Sequence, residues 1–254
     1  VANPGFAGVE SCAECHESRV AEFRNTQHFL ACTPAGGAKA RGFSPHGTIF
    51  RTRDPNVYLE MRRQGDDLVL SSVRATALGP ERDDYHVGLV YGSASGKDEM
   101  YFAWRDDKLF GMLSAWMFTH DCWGHCHLGS DLARDANPGC LECHNTWIGH
   151  VPGTASQFQR HDMVLGVTCE RCHGPGREHV DFHRSNPKQP AHAIAHPGEF
   201  NREQLMDLCA QCHATVRRRG PVFSYRPAEP PAKHYRLIEH RYPEEEPVVN
   251  QVRY

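Results

Sequence analysis

No window of this 254-residue chain approaches the eighteen or so consecutive apolar side chains that a bilayer-spanning helix needs. Nor does its start, Val1-Ala-Asn-Pro, carry the basic and then apolar regions of an export leader, which reads as a signal peptide already removed. Apolar residues make up only 39%, lean for a globular chain, so side chains alone undersupply a core. Neither sign of charge dominates, the formal net charge being −3. What the chain has in quantity is sulfur and imidazole: eleven cysteines and eighteen histidines.

Ten of those cysteines fall into five clusters. Four are strict C-x-x-C-H: Cys12 and Cys15 before His16, Cys140 and Cys143 before His144, Cys169 and Cys172 before His173, and Cys209 and Cys212 before His213. The fifth is one residue longer, Cys122-Trp-Gly-His-Cys126-His127. Two thiols at this spacing add across the two vinyl groups of a haem, and the histidine after the second becomes an axial ligand of the iron. A structural zinc site also uses paired cysteines but does not require a histidine after every second one. Disulfides would leave those five histidines unexplained. The Cys122 cluster stays open to one bland alternative, a disulfide beside a stray histidine. Cys32 is left over and reads as a small buried apolar side chain.

Five haems c are therefore expected, four from the strict motifs and one at Cys122 and Cys126, and their porphyrin faces must supply much of the core. Without them the chain is expected not to fold. Counting ionised propionates, five ferric haems with two histidine ligands take the charge to about −8, and full reduction to about −13. Such an acidic carrier is steered toward a basic face on a redox partner protein. Nucleic acid is not among the expected partners. Haem attachment of this kind places the protein in the periplasm or outside the cell.

The expected fold is a multihaem cytochrome c of mostly short α-helices and loops wrapped around haems, with a small antiparallel β insertion. Residues 1–43 form an N-terminal haem segment, 44–118 a haem-free β-rich insertion, 119–220 a four-haem segment and 221–254 a proline-rich arm. In the insertion, residues 48–52, 57–61, 68–73, 87–91, 100–104 and 109–113 read as strands, with turns at Gly65-Asp-Asp and Arg105-Asp-Asp-Lys. Helices are expected over 14–30 and 202–216, with a turn or more over 178–183. Thirteen histidines remain after the five proximal ones, and five irons need at most five distal ligands. An all bis-histidine protein is thus chemically easy, and such ligation favours electron transfer over substrate binding.

The run Cys12-x-x-Cys-His-x6-Phe23-x-x-Thr26-x-His28 resembles the first haem segment of the tetrahaem cytochromes that accept electrons from hydroxylamine oxidoreductase. Gly166-Val-Thr-Cys-Glu-Arg-Cys-His-Gly-Pro-Gly-Arg177 is similar to their third, and Leu208-Cys-Ala-Gln-Cys-His213 with His234-Tyr-Arg-Leu to their fourth haem site and C-terminal ligand region. The resemblance covers about half of the chain and leaves residues 44–118 and the Cys122 motif without counterpart. It implies that His28 caps the haem of His213. It likewise pairs His183 with the haem of His16, His179 competing, and His234 with that of His173. It also implies an open iron at His144, in the motif of Cys140 and Cys143, which the nearby His120, His150 and His161 could alter.

Three functions follow. The leading one is single-electron transfer between partners by a carrier rather than an enzyme. The second is an oxidoreductase acting on a small nitrogen or sulfur compound at an open iron; no C-x-x-C-K motif is present to favour it. The third is a subunit of an extracellular cytochrome filament, in which surplus histidines such as His234 and His240 reach a neighbouring copy.

Overall fold

Val57, Leu59 and Met61 point inward between half-buried neighbours, the period-two pattern of a strand with one face on a core. The pattern recurs through the middle of the chain. In this computed structural model, which describes residues 2–37, 40–92, 98–125 and 133–238, the outcome is a nine-stranded antiparallel sheet. The helix α1 (Val9–Phe23) comes first, followed by β1 (Cys32–Pro34), β2 (Thr48–Arg51), β3 (Val57–Gln64), β4 (Asp67–Thr76) and β5 (Gly79–Tyr91). Then come β6 (Glu99–Arg105), β7 (Lys108–Met117), β8 (Cys122–His125) and β9 (Ala133–Asp135). The strands lie in the order β2-β3-β4-β5-β6-β7-β8, with β1 paired to β5 and β9 to β7.

All six expected strands are present, and so are both turns. Gln64 pairs with Asp67 across a two-residue loop whose first member, Gly65, takes φ +62°, a backbone that glycine adopts without strain. Arg105 pairs with Lys108 around Asp106 at φ +49°. The expectation of mostly helices and loops is overturned: strand outweighs helix among the described residues. The physical reason is that a haem motif needs only one or two helical turns, whereas the insertion holds a dense set of alternating aliphatic and aromatic side chains. The sheet also runs past residue 118, through β8 and β9 into the motif-rich segment.

The chain divides into two compact units. The first, residues 21–167, holds the sheet and adds α2 (Pro138–His144) and the hairpin β10 (Asn145–His150)–β11 (Phe158–Leu165). Its core is formed by Leu59, Met61, Leu68, Leu70, Val90, Tyr101, Trp116 and Trp123, with Phe43 edge-on to Tyr101 and Trp123. Glu99 is buried there, accepting from the Ala40 amide (3.0 Å) and the Tyr101 hydroxyl (2.7 Å).

The second unit, residues 2–20 and 168–254, contains α3 (Cys169–His173), α4 (Arg177–Ser185), α5 (Arg202–His213) and the ribbon β12 (Val216–Arg218)–β13 (Tyr235–Leu237). One buried apolar cluster there joins Leu208, Tyr225 and Tyr235, with Cys172 and Phe200 against it, and Phe6, Val20 and Phe223 are buried as well. The expected helix over 14–30 begins earlier, at Val9, and stops at Phe23; that over 202–216 stops at His213. Beyond Ile238 the proline-rich arm, with His240, lies outside the described residues.

Candidate haem sites

Three strict motifs end a helix at their histidine: α2 at His144, α3 at His173 and α5 at His213. The spacing explains this, since cysteines three apart share one helix face and the next residue turns about 100° away. Two of these helices, α2 and α5, are capped by side chains. Asn137 accepts from the Gly139 amide (2.8 Å) ahead of Pro138, and Asn201 forms a reciprocal capping box with Gln204 (2.9 Å each way). The first motif lies inside α1, which breaks locally at His16 (φ −119°, ψ 37°).

In the second unit the motifs of Cys12, Cys169 and Cys209 adjoin. The Cys12 and Cys169 thiols share a hydrogen bond, which raises the pKa of Cys12 and lowers that of Cys169 to about 7. Burial first, and then the neighbouring Cys209, push Cys172 up to about 11. Glu170, between the two cysteines of its motif, is buried and accepts from the amides of Ala7 (2.7 Å), Gly8 (2.9 Å) and Gly176 (2.7 Å). A single carboxylate thus ties the segment leading into Cys12 to the third motif.

In the first unit, His144 stacks flat on Tyr91, with ring centroids 4.4 Å apart and planes 9° from parallel. Burial lowers its pKa, opposed by a hydrogen bond to the Ala31 carbonyl. The two thiols of this motif differ in access: Cys140 is exposed on α2, whereas Cys143, next to His144, is half-buried. Both lie near Tyr91, whose phenol is raised by burial first and then by Cys32, Cys140 and Cys143. Asn145 holds the arrangement, donating to the Tyr91 hydroxyl (3.2 Å) and the Leu141 carbonyl (2.9 Å) and accepting from the Gly166 amide (3.2 Å). Cys32 is buried beside Tyr91 as expected; burial pushes its thiol up, against contacts with Gly166 and Asn145. Cys122 sits exposed on β8; Cys126 and His127 lie outside the described residues, as does the side chain of His125.

The candidate distal histidines differ in their surroundings. His183 sets Nδ1 3.2 Å from the Asn186 carbonyl, while Nε2 is buried with no hydrogen-bond partner. His179, 4.6 Å away ring to ring, places Nδ1 2.9 Å from the His192 carbonyl. His234 has both nitrogens engaged, Nδ1 with Ser224 Oγ (3.0 Å) and Nε2 with Glu229 Oε2 (2.8 Å). His150 contacts the Thr154 carbonyl through Nε2 (3.0 Å), and His120 and His161 are exposed. His28 is exposed and belongs to the first unit, His213 to the second.

The residues fit haem. A ligand imidazole donates one N–H to a carbonyl and keeps the other nitrogen bare for the metal. His173, expected as a proximal ligand, sets Nδ1 2.8 Å from the Ala195 carbonyl, and His183 combines such a contact with a bare Nε2. The vinyl carbons would be held by Cys12 and Cys15, by Cys140 and Cys143, by Cys169 and Cys172, and by Cys209 and Cys212. The irons would sit on His16, His144, His173 and His213. Tyr91 and Asn145 gave no signal in the sequence, and Glu170 appeared only inside a resembling run, because each acts through partners far along the chain.

Helix-ending C-x-x-C-H motifs with such histidines define a multihaem c-type cytochrome. The comparisons with known proteins agree. The family described as "Cytochrome c554 and c-prime" matches residues 118–174, a span that takes in the Cys122, Cys140 and Cys169 motifs. Cytochrome c-554 of Nitrosomonas europaea is 33% identical over 94 residues, which cover 33% of this chain and 38% of that protein. The fold is similar to that of outer cell wall cytochrome OcwA, with a TM-score of 0.59 and 16% identity over 92% of this chain and 45% of that one. The chain therefore spans less than half of either relative's length. No described helix is long and apolar enough to cross a membrane.

Proposed function

We propose that this chain is an electron-transfer protein that passes single electrons along five covalently held haems c, most with two histidine ligands. The observation that carries the reading is the adjacency of the attachment motifs in the second unit, where the Cys12 and Cys169 thiols touch and Cys172 neighbours Cys209 and Cys212. Haem, when bound, supplies a one-electron ferric–ferrous couple at each iron. The chain's own part is to fix spacing and to set the environment of each axial nitrogen. Glu170 locks two motifs together, and the Ala195 and Asn186 carbonyls orient His173 and His183.

We extend to this chain the distal-histidine pairings implied by its resemblance to the tetrahaem acceptors of hydroxylamine oxidoreductase, but not the open iron. His183 is the distal ligand of the His16 haem, supported by its bare and buried Nε2. For His234 to cap the His173 haem, Glu229 has to release Nε2. The attachment chemistry places the protein in the periplasm or outside the cell, with redox proteins as partners.

The test is an optical difference spectrum of the dithionite-reduced holoprotein with and without carbon monoxide, beside a pyridine haemochrome count. Five haems and no shift are expected. A shift of about one-fifth of the Soret absorbance overturns full ligation and turns attention to an enzyme with an open iron at His144.

A further inference from the structure

Three consecutive arginines on or beside β12, Arg217, Arg218 and Arg219, meet Arg236 of β13. Arg217 stands directly opposite Arg236 in the antiparallel register, a like-charge pairing that weakens a ribbon unless an anion lies against it. The four side chains line a recess of about 220 Å³. Arg217, Arg219 and Arg236 are exposed. Arg219 donates one guanidinium N–H to the Ala232 carbonyl (3.2 Å). On a chain of net charge −3, this is a local reversal of sign.

The ribbon is also held in place. The Tyr235 hydroxyl donates to the Asp207 carbonyl (2.6 Å), the Ile238 amide to the Thr215 carbonyl (2.9 Å), and Tyr235 packs with Leu208 of α5. That helix carries the fourth haem motif and ends at His213, three residues before Val216. Three residues span at most about 11 Å.

We propose that this recess is a docking site for an acidic segment of a partner protein. Guanidinium forks match carboxylates in bidentate geometry, and a basic patch on an otherwise acidic carrier steers an acidic face toward one haem. That the docked partner exchanges electrons there rests on the proposed function; the docking itself does not, and the haemochrome count tests that function separately.

The experiment titrates the holoprotein with fluorescein-labelled decaglutamate and reads anisotropy at low and high salt. Binding is expected at low ionic strength, about tenfold weaker at high salt. Arg217→Glu with Arg236→Glu weakens it by a further factor of about ten, and the paired lysine substitutions by only about threefold. Haem content and the reduced spectrum stay unchanged in both variants. Absence of binding, or binding indifferent to the charge reversal, overturns the proposal. Haem loss on charge reversal also overturns it, since the arginines would then serve the propionates of the fourth haem. So does tighter decaglutamate binding when Glu244, Glu245 and Glu246 become glutamine, which would give the recess to this chain's own acidic run.

Discussion

His179 and His183 lie one turn apart on α4, yet only His183 keeps a bare, buried Nε2. Replacing His183 with alanine should therefore open one iron. The reduced protein should gain a carbon monoxide-sensitive fraction of about one-fifth of its Soret band. The same change at His179 should leave the spectrum alone, and the reverse result would move the ligand to His179. Tyr91 is the other decisive side chain, since it carries the His144 ring on its face. Tyr91→Phe keeps that stack and loses the Asn145 hydrogen bond, at a cost of about 1 kcal/mol. Tyr91→Ala removes the stack, and should cost about 3–5 kcal/mol and shift the potential of one haem. Thermal melting and a spectroelectrochemical titration of both variants measure this.

Among the elements, the turn between β11 and α3 is the least tolerant. Gly166 has φ +71°, and a Cβ there would sit 2.1 Å from the Phe29 carbonyl oxygen. Gly166→Ala combines backbone strain with a clash against main chain, so a loss of about 3 kcal/mol or more is expected in denaturant unfolding. This gives a physical reason for a glycine that the sequence could present only as part of a resemblance. In α3, Glu170→Ala leaves the amides of Ala7, Gly8 and Gly176 without their acceptor. An unpaired buried amide costs about 1–3 kcal/mol and the part-buried ones less, so the variant should melt early and incorporate less haem at the Cys12 and Cys169 motifs. Peptide mapping of haem-bearing fragments would read this, and full incorporation would count against Glu170 as the link.

At the scale of the whole molecule, the two units differ in what holds them. The sheet closes a core of its own from Leu59, Leu70, Tyr101, Trp116 and their neighbours, whereas the second unit buries fewer apolar side chains among the described residues: Phe6, Val20, Leu208, Phe223, Tyr225 and Tyr235. Total dependence on haem, expected from the lean composition, therefore applies best to the second unit. Serine in place of the cysteines at Cys12, Cys15, Cys169, Cys172, Cys209 and Cys212 should leave strand signal in circular dichroism while helical signal falls. Loss of both together would show that the sheet also needs haem.

The class of multihaem c-type cytochrome was legible in the sequence because two thiols and a histidine within five residues are a local covalent requirement. Six strands and two turns were legible for a similar reason, alternation and turn chemistry being read over a few residues. The extent of the sheet was not, because the polar run Glu81-Arg82-Asp83-Asp84 belongs to β5 only through its pairing with β4. Nor were the site's supports. Tyr91 meets His144, and Glu170 meets Ala7 and Gly8, across dozens of residues or more, and the four arginines face one recess only once β12 pairs with β13. The unequal exposure of Cys140 and Cys143 was hidden for the same reason, since the spacing treats both thiols alike. Sequence by itself determined which residues can carry haem, since that is covalent spacing. Tertiary structure alone decided which motifs adjoin, which imidazole is left bare and where positive charge gathers, because packing sets distances that the chain does not encode locally.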